Sequence, residues 1–445
     1  MSLRLRLQAC LLTEWKQHGF FPCYAAVLPQ GDPDFHASDL WRFLRSPSDP
    51  LLRLAALLLW PARLARLPGP HPQTGLARRV PVESRFILRF HTFFTDCYFY
   101  TIIRKAILPH IPPEERRPWE RILLGLVTNA LAHRSYRILS GQTFRVYPFF
   151  PAETMHANRN AKWFLRWSGM QDIAPDADDT FMVLEMCADF LCLMDSGELS
   201  WLPPQQKQQL RSDINRLLQP AYWQLARAYQ FHAHQVKVPV VNYTGVLLQG
   251  GVSTWFGLHP TDAPDLVVNV NVLRALVRNR GIWGILNTPE ALDTVQGIVA
   301  FLHDNVTKGL FRQARAYSFY LPEFFVAMFA WLWEAWQEVP ESEQHLLDPQ
   351  ARLSAIRQHV LAYLRDELHP QRNLNPMDAA LALGAARRLE PHATRHTDWQ
   401  RILEQNASPE GMPYPAYEIF KGKIPTHMVY GSPAITALFA LDALS

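Results

Sequence analysis

The sequence predicts an all-α protein whose helices pair into an (α/α)6 toroid, with an N-terminal helical extension in front of it. Two observations predict this. From about residue 83 onward, apolar helices alternate with amphipathic ones, as an inner layer buried all round and an outer layer half in water would require. The apolar helices open near Arg117, Asp176, Asp265, Pro322, Asn375 and Ser432, at intervals of 59, 89, 57, 53 and 57 residues. One interval holds an insertion; the others agree closely, and self-similarity at a fixed spacing is read as architecture before anything else.

Composition sets the outer bounds. The chain has 445 residues, 48% of them hydrophobic and 19% charged, a globular and not a disordered balance. A net charge of +4 with interspersed signs gives no basic stripe, so no nucleic-acid partner is expected. Five cysteines, Cys10, Cys23, Cys97, Cys187 and Cys192, form no Cys-x-x-Cys pair. An odd, unpatterned set points to a reducing compartment, hence a cytoplasmic location. No signal-peptide pattern occurs in Met1–Lys16, and no apolar run reaches membrane-spanning length.

Taken in order, residues 1–82 form the extension. Pro and Gly punctuate it, and within it Leu51–Arg66 reads as a Leu-rich helix with spaced arginines, interrupted at Pro61. Such a segment can lie on a membrane surface; docking on the main domain with arginines in water is the favoured alternative. Residues 83–445 form the barrel. Its amphipathic helices are expected over Glu83–Ile107, His156–Ser168, Gln205–His232, Pro289–Val306, Asp348–Asp366 and Thr397–Gln405. Pro stands at or just before the first turn of four apolar helices, as Pro175, Pro264, Pro376 and Pro433, where its missing N–H does no harm. The one strand-like run, Val236–Val241, is too brief to build a sheet.

The chemistry centres on Pro175-Asp176-Ala177-Asp178-Asp179-Thr180, which opens an apolar helix. A structural reading makes Asp176 the N-cap, with Asp178 and Asp179 at the positive end of the helix dipole. A chemical reading makes the three an acid cluster at a cavity mouth. Crowded carboxylates cannot all ionise cheaply, so one keeps its proton and can serve as a general acid.

Asp-x-Asp-Asp-Thr at the start of an inner helix resembles the protonation motif of class II terpenoid cyclases of the squalene–hopene cyclase type. The resemblance implies that Asp178, the middle acid, protonates an isoprenoid alkene, with Asp176 and Asp179 supporting it. It also implies a hydrophobic isoprenoid substrate and no cofactor, magnesium entering only with a diphosphate substrate. Gln249–Gly257 resembles a degenerate Gln-and-Trp repeat of the same family, as does Gln405–Tyr414 more faintly. At most one of the family's two barrels fits this length. One of His232, His234 or His259 would hydrogen-bond the acids.

If the inner helices run parallel, their N-termini gather at one rim. Candidate substrate-binding residues there are Asn269, Asn271, Trp255, Tyr320, Glu323 and Tyr430. Asn269 and Asn271 stand out, because two amides inside Val-Val-Asn-Val-Asn-Val-Leu need buried partners. Aromatic residues, 12% of the chain and densest over Tyr317–Trp336, supply π faces that can stabilise a cation. The His232/His234 and His392/His396 spacings lack completing ligands, so no metal is expected. No Walker loop, nucleophile elbow or Asp-Asp-x-x-Asp pair occurs. A carbohydrate-active α/α-barrel enzyme and a non-catalytic binding toroid remain the alternatives; a polar lining with exposed Trp would mark the first, a filled interior the second.

Overall fold

A computed structural model describes residues 2–27, 87–149, 174–231, 247–256, 264–313, 317, 320–392, 396–421 and 428–445. Leu51–Arg66, His156–Ser168, Val236–Val241, His232, His234 and His259 lie outside the described residues. The chain is all-α with little strand. Its helices are α1 (Leu3–His18), α2 (Phe93–Ile102), α3 (Arg117–Ala132), α4 (Ala177–Asp195), α5 (Pro204–Leu218), α6 (Trp223–Ala228), α7 (Leu266–Arg278) and α8 (Pro289–Thr307). There follow α9 (Pro322–Gln337), α10 (Glu341–Leu347), α11 (Arg352–Asp366), α12 (Pro376–Leu389), α13 (His396–Gln405) and α14 (Pro433–Ala443). Among the described residues none is long and apolar enough to cross a membrane.

Helix starts follow local chemistry. Asp176, Asp265, Asn375 and Ser432 are N-caps whose side chains accept from N–H groups of the first turn, satisfying donors the helix cannot. Pro322 occupies the first position of α9. Two sets of helices then separate by burial. Along α2, α7 and α9 nearly every residue is buried, and α12 and α14 are similar. Helix α5 buries only Leu210, Ile214, Leu217 and Leu218, a single stripe at helical spacing. The buried set packs in succession, α2 on α4, α4 on α7, α7 on α9, α9 on α12, α12 on α14, and α14 back on α2. The half-exposed helices pack outside it: α3 on α2 and α4, α5 on α4, α8 on α7, α11 and α13 on α12, and α1 on α14.

The first helical pair is inverted relative to expectation. Glu83–Ile107 was expected to be amphipathic, yet its helix begins at Phe93 and is the buried member, its Phe-Phe-Thr-Asp-Cys-Tyr-Phe-Tyr run enclosed on all sides. The helix from Arg117 was expected to be apolar all round, but it exposes Arg117 and Arg121 and buries one face. Gln205–His232 is broken between α5 and α6, where Pro220 follows Gln219.

A four-stranded antiparallel sheet is the main addition, in the order β2 (Ile87–Phe90), β1 (Cys23–Val27), β6 (Met428–Gly431), β5 (Glu418–Lys421). Each strand has four or five residues, too few to show a period of two. The sheet joins residues 23–27 to the last helix through Tyr24 opposite Gly431 and Ala25 opposite Tyr430. The described part of the N-terminal extension is therefore helix plus strand, and packing continues across residue 82. A hairpin of β3 (Tyr136–Leu139) and β4 (Gln142–Arg145) turns through Ser140 and Gly141, both at positive φ, the backbone that matches strand twist in two-residue loops.

Candidate acid site

An irregular segment from Leu247 to Phe256 positions the start of α4. Two helix-borne asparagines clamp it. The Asn269 side chain accepts from Val252 N–H at 2.7 Å and donates to Val252 O at 3.0 Å. Asn305 of α8 does the same to Leu247, at 2.9 and 3.2 Å. Gly250 is required within the segment: at φ +84° any Cβ would sit 2.3 Å from the Gly297 carbonyl oxygen. Held this way, the segment receives the Ala177 N–H on Thr254 O at 2.8 Å, and Phe256 N–H donates to Pro175 O at 2.8 Å. Tyr147 O takes the Asp176 N–H at 3.1 Å. The first turn of α4 is thus pinned from both sides.

Asp176 is the cap: its Oδ1 accepts from Asp179 N–H at 2.7 Å. Asp178 faces α7 and α9. Its Oδ1 accepts from Asn271 Nδ2 at 2.7 Å, and its Oδ2 accepts from the Tyr320 hydroxyl. Tyr98 of α2 adjoins both, its hydroxyl 3.4 Å from Asn271 Nδ2. Asp179 turns to another face of the helix, toward Asp96 and Cys97 of α2. All three acids are buried, at 4, 3 and 1% exposure for Asp176, Asp178 and Asp179, so no bulk water solvates them.

Burial raises the Asp178 carboxyl to about 6; the Tyr320 and Asn271 hydrogen bonds oppose it, Asp265 adds to it, and Arg274 opposes it. Burial likewise pushes Asp176 and Asp179 well above the usual carboxylate range, each reinforced by the charges of its neighbouring acids. Burial and the Asp178 charge push the Tyr320 phenol up, so it remains a donor.

An aromatic wall meets this acid. Tyr320 stacks on Phe324 at 5.6 Å, and Phe94 packs edge-on to Tyr98 at 4.4 Å. Phe439 of α14 lies 5.5 Å from Phe324 and 6.0 Å from Trp331. Beyond it, Arg274 sits over Trp331 and pairs with Glu185 at 2.8 Å.

Of the expected site residues, the structure brings together Asp178, Asn271 and Tyr320, with Asp176 and Asp179 beside them. Trp255 pairs its backbone with Asp176. Three others serve elsewhere. Asn269 was expected to bind substrate, but its amide is committed to the Val252 backbone and to Asp265 O. Glu323 accepts from Tyr363 of α11 at 2.9 Å, outside the buried helices. Tyr430 lies in β6, opposite Ala25. Tyr98, Arg274 and the buried His91–Asp96 pair, 2.7 Å apart, were not foreseen; a Tyr and an Asp inside an otherwise apolar run were their only trace. Among the described residues no three His, Cys, Asp or Glu side chains converge as a metal site. The chain matches no protein-family model and no curated protein.

Proposed function

We propose that the chain is an (α/α)6 toroid of the class II terpenoid-cyclase kind that protonates an isoprenoid alkene from Asp178. The order of helix packing supports the toroid, since the buried helices follow one another from α2 to α14 and back to α2 with the half-exposed helices outside. The observation that carries the chemistry is a buried carboxyl near 6 whose hydrogen-bond partners, Tyr320 and Asn271, stand among aromatic rings. In the protonated form Asp178 gives its proton to an alkene carbon. The π bond becomes a C–H bond and leaves a cation, which the faces of Phe94, Tyr98, Phe324, Trp331 and Phe439 can stabilise. Loss of a proton to a base ends the sequence. Tyr320 and Asn271 hold the carboxylate that remains.

The test is incubation of linear isoprenoids of increasing length with the wild type and Asp178→Asn, followed by gas chromatography of extracted products. Cyclic products from the wild type alone support the proposal. Equal products from both, or none from either, overturn it.

A second reading, a non-catalytic binding toroid, draws on the mutual packing of Phe94, Tyr98, Phe324, Trp331 and Phe439, whose ring centroids lie 4.4–6.0 Å apart in successive pairs between the buried helices. Calorimetric binding of an isoprenoid without turnover would favour it.

A further inference from the structure

We infer that the interior between the buried helices takes the hydroxyl group of an isoprenoid alcohol, held by Asn271 and Arg274 of α7. The inference rests on the reading above, in that it takes this interior as the substrate's place. It starts from two orphaned atoms. Asn271 gives its Nδ2 to Asp178 at 2.7 Å, but no described residue donates to its Oδ1. Arg274 gives its Nε to Glu185 at 2.8 Å, but no described residue accepts from its Nη1. The two residues are 0 and 2% exposed, and an unmet donor or acceptor at that depth is costly.

Both atoms belong to one place. Residues three apart share a helix face. Tyr98 ties the two together: its hydroxyl is 3.4 Å from Asn271 Nδ2, and its ring is 5.6 Å from Trp331, over which the Arg274 guanidinium sits at 5.3 Å. Trp331 offers that guanidinium a π face but no lone pair. Side chains three apart stand about 5–6 Å from one another at Cβ, a gap that one oxygen making two hydrogen bonds of about 2.8 Å bridges.

The chemistry of the pair selects the group. An acceptor beside a donor is the complement of a hydroxyl, which gives its proton to Asn271 Oδ1 and receives from Arg274 Nη1. A carbonyl or ether oxygen would leave Asn271 unmet, and an ammonium would leave Arg274 unmet. A diphosphate would need free positive charge. Here Arg274 and Arg278 are paired with Glu185, Lys105 with Glu334, and Arg388 with Glu334 and Asp442. An anion buried without its own counter-charge is unfavourable.

Equilibrium dialysis of the full chain with saturated ligands tests this without turnover, because a saturated chain has no alkene to protonate. The ligands are a linear saturated isoprenoid alcohol, the same chain without its hydroxyl, and the diphosphate of the alcohol. The hydrocarbon is smaller and leaves water more readily, so neither shape nor hydrophobicity favours the alcohol. The wild type should nevertheless bind the alcohol about 10–100-fold tighter than the hydrocarbon, and tighter than the diphosphate. Arg274→Lys keeps a cation for Glu185 but lacks the Nη1 arm, and should lose the preference. Equal or tighter binding of the hydrocarbon or the diphosphate by the wild type overturns the inference, as does a preference unaltered in Arg274→Lys. If that variant does not fold, the wild-type comparison decides alone. A protein that prefers the alcohol yet makes no cyclic product from its unsaturated form refutes the cyclase reading and leaves the inference standing. A protein that cyclises an unsaturated hydrocarbon and is indifferent to the hydroxyl does the reverse.

Discussion

The N-terminal and C-terminal ends of the buried helices carry charge in opposite ways. At the N-terminal end, Asp176 and Asp178 of α4 and Asp265 before α7 are buried and accept from neutral donors, Asp179 is buried beside them, and no described guanidinium or ammonium hydrogen-bonds to the three acids of α4. Toward the C-terminal end every acid has a cation. Glu185 binds Arg274 and Arg278, Glu334 binds Lys105 and Arg388, Asp442 binds Arg388, and Asp189 binds Arg104. Lys105 and Arg388 hold the Glu334 carboxyl down at about 2, against its burial. Helix dipoles explain the signs, since N-termini favour acids and C-termini favour cations. They do not explain why no described cation hydrogen-bonds to the three acids of α4. Paired charges lock helices to one another; unpaired carboxyls cost stability and keep protons available, which is what acid chemistry needs.

The largest expected effect separates the ends by activity. Asp178→Asn should lower cyclisation by about 10²–10⁴-fold, the range of a lost general acid, with circular dichroism unchanged. Glu185→Gln, seven residues along the same helix, should leave the rate constant per folded molecule largely unaltered. A comparable loss of turnover from both variants would erase the distinction.

Stability should respond in the reverse order. Removing Glu185 leaves Arg274 buried with a broken pair, at a cost of about 3–5 kcal/mol, read as a lower urea midpoint with the slope unchanged. Asp178→Asn should stabilise at neutral pH. The Asp178 carboxyl lies at about 6 when folded against a reference of 3.8, so between those values the folded state binds more proton and stability falls as pH rises. Two pKa units correspond to about 3 kcal/mol at most, reduced by whatever hydrogen bonding the amide loses. Below the reference value the variant and the wild type should unfold alike, and above about 6 the gap should be constant. A gap that widens with acid would mean that Asp178 is ionised more readily in the fold than out of it.

How much of this was legible follows from the range over which each feature is decided. The caps Asp176, Asp265, Asn375 and Ser432 were legible because a cap bonds within three residues of itself. Asn269 and Asn271 were legible as unusual but not as different. Two positions apart on a helix they face nearly opposite ways, so one clamps Val252 and the other holds Asp178. Their partners lie 17 and 93 residues away, which nothing local encodes. The Phe93–Ile102 run was misplaced because a helix buried all round shows no stripe to read. The sheet was missed because strands of four or five residues carry too few alternations, and the pairing at its centre joins the chain's two ends, Tyr24 opposite Gly431.

The smallest expected effect asks whether a cap behaves the same with and without acid neighbours. Asn375→Ala removes side-chain bonds to Met377 N–H and Asp378 N–H at 2.8 and 3.0 Å, and should cost about 1 kcal/mol as an ordinary cap does. Asp176→Ala removes one such bond and, by itself, should cost about the same. It also removes a charge that is buried beside Asp178 and Asp179, and that relief acts in the opposite direction. The net cost at Asp176 should therefore be the smaller of the two at neutral pH. On acidification, once Asp176 is protonated, the relief disappears and the two costs should converge. Urea midpoints of both variants at neutral and acid pH measure this. If Asp176→Ala costs clearly more than Asn375→Ala at neutral pH, the charge on Asp176 is welcome where it sits, and the acid end is better compensated than its geometry suggests.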